Sequence, residues 1–92
     1  MALSYILKDF GTSFATRDRG RELREDLVSR ASAPQATLDF AGVTNVSYSF
    51  ADEFMGKLST EGFELELVNM VPAVERSVRR AVGRRTGSPV GC

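Results

Sequence analysis

Apolar residues form one short run, recur with period two in two further short stretches, and recur with a helical period in three longer ones. Leu3–Leu7 (LSYIL) is a compact apolar run closed by Lys8, Asp9 and Gly11, and reads as a strand. Gln35–Phe40 sets Ala36, Leu38 and Phe40 against Thr37 and Asp39. Phe63–Val68 sets Phe63, Leu65 and Leu67 against Glu64 and Glu66, and its acidic outer row predicts an edge or half-exposed strand. The charge-dense segment TRDRGRELREDLVSR carries Leu23, Leu27 and Val28 on one helical stripe, with Gly20 on the same face and Thr16 or Ser13 as N-cap. Arg21 and Glu25 are spaced to attract on that helix, and Glu22 and Asp26 to repel. Phe50, Phe54 and Leu58, with Ala51 and Met55 beside them, predict a second helix over 49–60, ended by Gly62. Pro72 opens the third, where its missing N–H costs nothing. Val71, Val74, Val78 and Ala81/Val82 form its apolar stripe, and Arg76, Arg79, Arg80, Arg84 and Arg85 the opposite face.

The order β-α-β-α-β-α predicts an α/β domain: a three- to four-stranded, mainly parallel or mixed sheet flanked by three helices. A fourth strand would come from residues 8–15 or 43–47, or a second chain would complete the sheet. Val43 and Val46 read as loop residues aimed back at the core. The domain is expected over residues 1–85, with a flexible tail over 86–92.

Charge sharpens this picture. The 92 residues carry no net charge, but it is segregated: residues 39–66 hold six acids against Lys57, a net −5, and residues 71–92 hold five arginines against Glu75, a net +4. Such polarity suits protein recognition or self-association, and argues against nucleic acid as partner. The arginine face reads as a solvated helix terminus or as an inter-subunit salt-bridge donor.

The absence of histidine removes Ser-His-Asp and Cys-His catalysis and every zinc site built on histidine. No catalytic residue, metal ligand or cofactor is expected, and the chain reads as a non-enzyme. No apolar run approaches the roughly 20 residues of a membrane span. The N-terminus lacks the basic region of a signal peptide, and the single cysteine, Cys92, reads as an ordinary thiol. These features together predict a cytoplasmic protein.

The chemistry concentrates in residues 38–58, LDFAGVTNVSYSFADEFMGKL. Ser49 stands where the second helix should begin. It can act as N-cap, bonding the N–H of Ala51 or Asp52, or as a hydroxyl open to a partner or a phosphate. Asp52 and Glu53 diverge by about 100° on a helix and make a poor catalytic pair. They read as favourable first-turn charge or as an acidic rim for a basic partner. Asp39, Ser47, Tyr48, Ser49, Asp52 and Glu53 are expected exposed or half-exposed as a partner-binding surface, with Phe50, Phe54 and Leu58 buried.

The acid-aromatic pair Asp39-Phe40, then Gly42-Val43, then Ser47-Tyr48-Ser49-Phe50-Ala51-Asp52-Glu53 and the arginine-rich final helix resemble the STAS-like domain of unknown function found in bacterial and archaeal proteins. The resemblance is sharp over residues 36–58. It implies kinship with the anti-sigma-factor antagonists of bacterial partner-switching systems, in which a histidine-kinase-like ATPase phosphorylates a serine beside a helix start. By order along the chain that serine is Ser49, with Ser47 second. The antagonists carry an Asp-Ser-Ser/Thr-Gly run, whereas here Ser47-Tyr48-Ser49-Phe50 has no aspartate before it and no glycine after. The function implied is a regulatory protein–protein interaction module. The alternative is an oligomerising module, a homodimer in which acidic and arginine-rich faces meet without serine chemistry.

Overall fold

Three alternating segments line up as one parallel sheet. The computed structural model describes residues 3–86, the last three by their backbone alone. Strands β1 (Leu3–Ile6), β3 (Gln35–Asp39) and β5 (Glu64–Val68) form a sheet in the order β1-β3-β5, all parallel, with Tyr5 opposite Leu38 and Leu38 opposite Leu67. This register puts Leu3, Tyr5, Ala36, Leu38, Leu65 and Leu67 on one face, buried in or packed against the core. Phe63, Leu65 and Leu67 are only half-buried, consistent with an edge position for β5.

Two further short strands, β2 (Ser13–Phe14) and β4 (Asn45–Val46), come from the two segments expected to supply a fourth strand. They pair with each other in a separate parallel ladder and do not extend the sheet. The larger sheet therefore has three strands. Val43 and Val46 are buried as expected.

Three helices complete the fold. Helix α1 spans Arg17–Arg30 and is capped by Thr16, whose side chain accepts from the Arg19 N–H at 3.1 Å. Gly20, Leu23 and Leu27 are buried, but Val28, expected on the same stripe, is 44% exposed. Arg21 pairs with Asp18 rather than Glu25, one turn back along the helix. Helix α2 is continuous over 48–60: an α turn (Tyr48–Ala51), a π segment (Asp52–Gly56) and a last α turn (Lys57–Thr60). In the π segment the Lys57 N–H reaches the carbonyl of Asp52, five residues back. Helix α3 spans Pro72–Thr86 and buries Val74, Val78 and Ala81. Val71 precedes it and is exposed. Residues 87–92, with most of the expected flexible tail and Cys92, lie outside the described residues.

Helix α2 is the centre of the helical layer, with α1 against one flank and α3 against another. Its inner side carries an aromatic cluster: the Phe54 ring lies 6.0 Å from that of Tyr5 on β1, Phe50 lies 5.7 Å from Phe54 on the same helix, and Phe14 of β2 lies 4.9 Å from Phe50. Tyr5 donates its hydroxyl to Asp26 of α1 at 2.7 Å, so one side chain ties β1 to α1. Burial, then the bond to Asp26, pushes its phenol well above the ordinary value.

Candidate functional site

The site grows from the junction of two helix starts. Ser47 precedes α2 in extended conformation, and its hydroxyl accepts from the Phe50 N–H at 3.1 Å. The same hydroxyl donates to the Ala15 carbonyl at 2.9 Å, just before the Thr16 cap of α1. One serine thus caps α2 and pins the start of α1 beside it. This corrects the expectation for Ser49. The helix begins one residue earlier than its apolar spacing suggests, because β4 ends at Val46 and leaves Ser47 at the boundary. Ser49 lies inside the first turn. It is half-buried, and its hydroxyl makes no hydrogen bond among the described residues.

Asp52 and Glu53 also depart from expectation. Both are buried, at 8% and 3% exposure, and so form no exposed rim. The cause is the central place of α2: every residue from Phe50 to Gly56 is buried, so both flanks of the helix are covered. Buried carboxylates need partners, and α1 supplies them. Arg17 Nη1 reaches Asp52 Oδ2 at 3.0 Å and Glu53 Oε1 at 3.2 Å. Arg24 donates to the Glu53 carboxylate at 3.1 Å and to its backbone carbonyl at 3.0 Å. Lys57 closes the group at 3.0 Å from Glu53 Oε2.

Burial pushes the Glu53 carboxyl up, but hydrogen bonds from Lys57, Arg17 and Arg24 outweigh it and hold the group below its ordinary value. Hydrogen bonds to Asp52 and then Glu53 raise Arg17 in turn. These two acids are therefore internal fasteners between α1 and α2.

Gly20 makes that fastening possible. A Cβ there would stand 2.8 Å from the Phe50 carbonyl oxygen and 3.1 Å from the Glu53 Cβ, so only glycine lets α2 approach so closely. In the sequence, Arg17, Gly20 and Arg24 share one helical face: two cations with a gap between them. That pattern was available as a signal for the buried acids.

Asp39 stands apart from this junction. Its Oδ1 accepts from the Ala41 N–H at 2.9 Å and from the Asn69 amide at 3.0 Å, where Asn69 holds a left-handed backbone with φ 62°. The bond from Asn69, then that from Ala41, lowers its carboxyl from the ordinary range. Asp39 thus fixes the loops that leave β3 and β5. It is half-buried, and Tyr48 is 36% exposed. Of the expected surface residues, Ser47, Tyr48 and Ser49 lie together at the start of α2, Asp52 and Glu53 lie beneath them, and Asp39 belongs to a separate turn.

The family model of the STAS-like domain of unknown function (DUF4325) matches residues 19–75, from the first turn of α1 to the first turn of α3. The chain belongs to this family. The match takes in all of α2 and most of α1, so the STAS-like domain includes the fastened helix pair. No significant match exists among curated proteins or among solved structures. Among the described residues of this STAS-like domain, no cluster of acidic or cysteine side chains is arranged to hold a metal ion, and no helix is long and apolar enough to cross a membrane.

Proposed function

We propose that this STAS-like domain is a regulatory protein–protein interaction module whose partner-facing surface is the first turn of α2 and the loop before it, with Ser49 as its switch hydroxyl. The observation that carries this reading is the division of labour between two serines. Ser47 uses its hydroxyl as both donor and acceptor inside the fold, whereas the Ser49 hydroxyl, two residues on, makes no hydrogen bond among the described residues and lies beside the exposed Tyr48. A modification at Ser47 would remove a cap and a tie to α1. At Ser49 it would break nothing internal.

The acids nearby do not forbid a phosphate. Asp52 and Glu53 lie three and four residues after Ser49, within reach of its side chain, and would repel a phosphate if bare. Arg17, Arg24 and Lys57 offset their charge, and the Arg17 side chain is 47% exposed at the edge of the group. The partner class this supports is a histidine-kinase-like ATPase acting as a switch kinase, with the domain itself non-catalytic and needing no cofactor.

The test is incubation of the protein with such an ATPase from the same genome and labelled ATP. Wild type and Ser47→Ala should take up label, and Ser49→Ala should not. Equal incorporation in Ser49→Ala and wild type would remove Ser49 from the role.

A further inference from the structure

The three-stranded sheet has one face on the core and, among the described residues, one face open. All-parallel sheets are almost always covered on both faces, because their crossovers lay helices on each side. Here the register puts Ser4, Ile6, Thr37, Glu64, Glu66 and Val68 on the outer face with Gln35 and Asp39. Ile6 is 44% exposed, Glu64 and Glu66 are exposed, and Val68 is half-buried. No side chain of that face is basic. Glu66 is approached by the Thr37 hydroxyl at 3.3 Å and Glu64 by the Gln35 amide at 3.4 Å. Neither glutamate has an ion-pair partner among the described residues.

The counterpart stands on α3. Arg79 is held by Glu75 at 2.7 Å, but Arg76 and Arg80 are exposed and form no ion pair among the described residues. They are four residues apart on a helix, a rise of about 6 Å. Glu64 and Glu66 are two apart on a strand, about 6.6 Å. Two unpaired cations and two unpaired anions therefore sit at matching intervals on different faces of one molecule.

We infer that the open face of the β1-β3-β5 sheet is a docking surface for a second copy of this chain, which lays the Arg76–Arg80 face of α3 over Glu64 and Glu66. Ile6 and Val68 supply apolar surface beside the ion pairs. The two contacting surfaces differ: made twice between the same two copies the contact closes a two-fold dimer, and made once per pair it is heterologous and builds a ring or an open filament. No residue of α2 takes part, so the inference stands or falls independently of Ser49.

The experiment is sedimentation of the full chain over a wide concentration range, at low salt and at about 1 M salt, where screening acts within about 3 Å. Two charge-reversed proteins accompany it, Glu64→Arg with Glu66→Arg and Arg76→Glu with Arg80→Glu, with circular dichroism to show that each is folded. Wild type should gain mass with concentration at low salt and lose it at high salt. Each variant alone should associate at least about tenfold more weakly, because its two surfaces carry the same sign. Mixing the two variants should restore association, since each surface then finds its opposite. A wild type that stays monomeric throughout, association that survives both reversals, or a mixture no heavier than its parts would overturn the inference. Should a reversed protein misfold, the neutral versions Glu64→Gln with Glu66→Gln and Arg76→Gln with Arg80→Gln replace it. Undiminished association in them is likewise a refutation.

Discussion

Two pairs of acids in this molecule look alike in sequence and live opposite lives. Asp52 and Glu53 are adjacent, buried and wrapped by three cations of α1 and α2. Glu64 and Glu66 alternate along an edge strand, exposed, and among the described residues accept side-chain hydrogen bonds only from the neutral Gln35 and Thr37. The first pair holds two helices together, and the second is free to act outward. A carboxylate's role here follows from whether its element is flanked on both sides, as α2 is, or stands at an edge, as β5 does.

The contrast is broken most severely at Glu53. Glu53→Ala leaves Arg24 and Lys57 without their shared carboxylate and should destabilise by about 3–5 kcal/mol, whereas Glu66→Ala should stay within about 0.5 kcal/mol. Urea unfolding midpoints of the two variants measure the difference, and similar midpoints would contradict it. Gly20→Ala comes next. Its methyl group would meet the Phe50 carbonyl oxygen, so α1 and α2 must separate, at a cost of about 1–3 kcal/mol that exceeds alanine's gain in helix propensity. A stabilised Gly20→Ala protein would show that the helix pair is looser than described.

Smaller effects separate the two serines. Ser47→Ala removes the α2 cap and should cost about 1 kcal/mol, while Ser49→Ala should stay within about 0.5 kcal/mol. Thermal melts that rank them in the other order would return the cap to Ser49. The gentlest perturbation is acid. The Glu53 carboxyl is depressed in the folded state, so its contribution is present above the unfolded value of about 4.3 and is lost as pH falls through the folded one. Glu53→Gln should therefore lose less stability than wild type on titration below about pH 4. Parallel acid limbs would place the linkage in other carboxylates.

Two sheet strands were legible because alternation is a local property: Leu38 and Leu67 point inward from positions that each strand's own pattern identifies. The first was legible only as an apolar run, in which Ile6 beside Tyr5 hides which side faces the core, and Pro72 marked the start of α3 unaided. The helix start at Ser47 was missed because apolar spacing locates a stripe but not its cap, and Ser47, Tyr48 and Ser49 all fit the spacing. Burial of Asp52 and Glu53 was missed for a longer-range reason. It depends on α1 and α3 lying on both flanks of α2, and first-turn acids are ordinarily solvated. The segments of β2 and β4 were both candidates for a further strand, but that they pair with each other apart from the larger sheet was not legible, because two-residue strands carry no period to read.

The π segment of α2 has a consequence for timing. An α-helix overshoots a full circle by about 40° every four residues, so Phe50, Phe54 and Leu58 would wind progressively off any fixed line. All three are nonetheless fully buried. The wider turns between Asp52 and Gly56 slow the rotation and bring it back into phase with the four-residue beat of the aromatic side chains. Deleting one residue there would let ordinary α turns replace the wide ones: seven steps of about 100° come within about 20° of two full circles, so Leu58 would keep its line with Phe50. The segment is a spare residue held in the helix, and removing it leaves both ends in step.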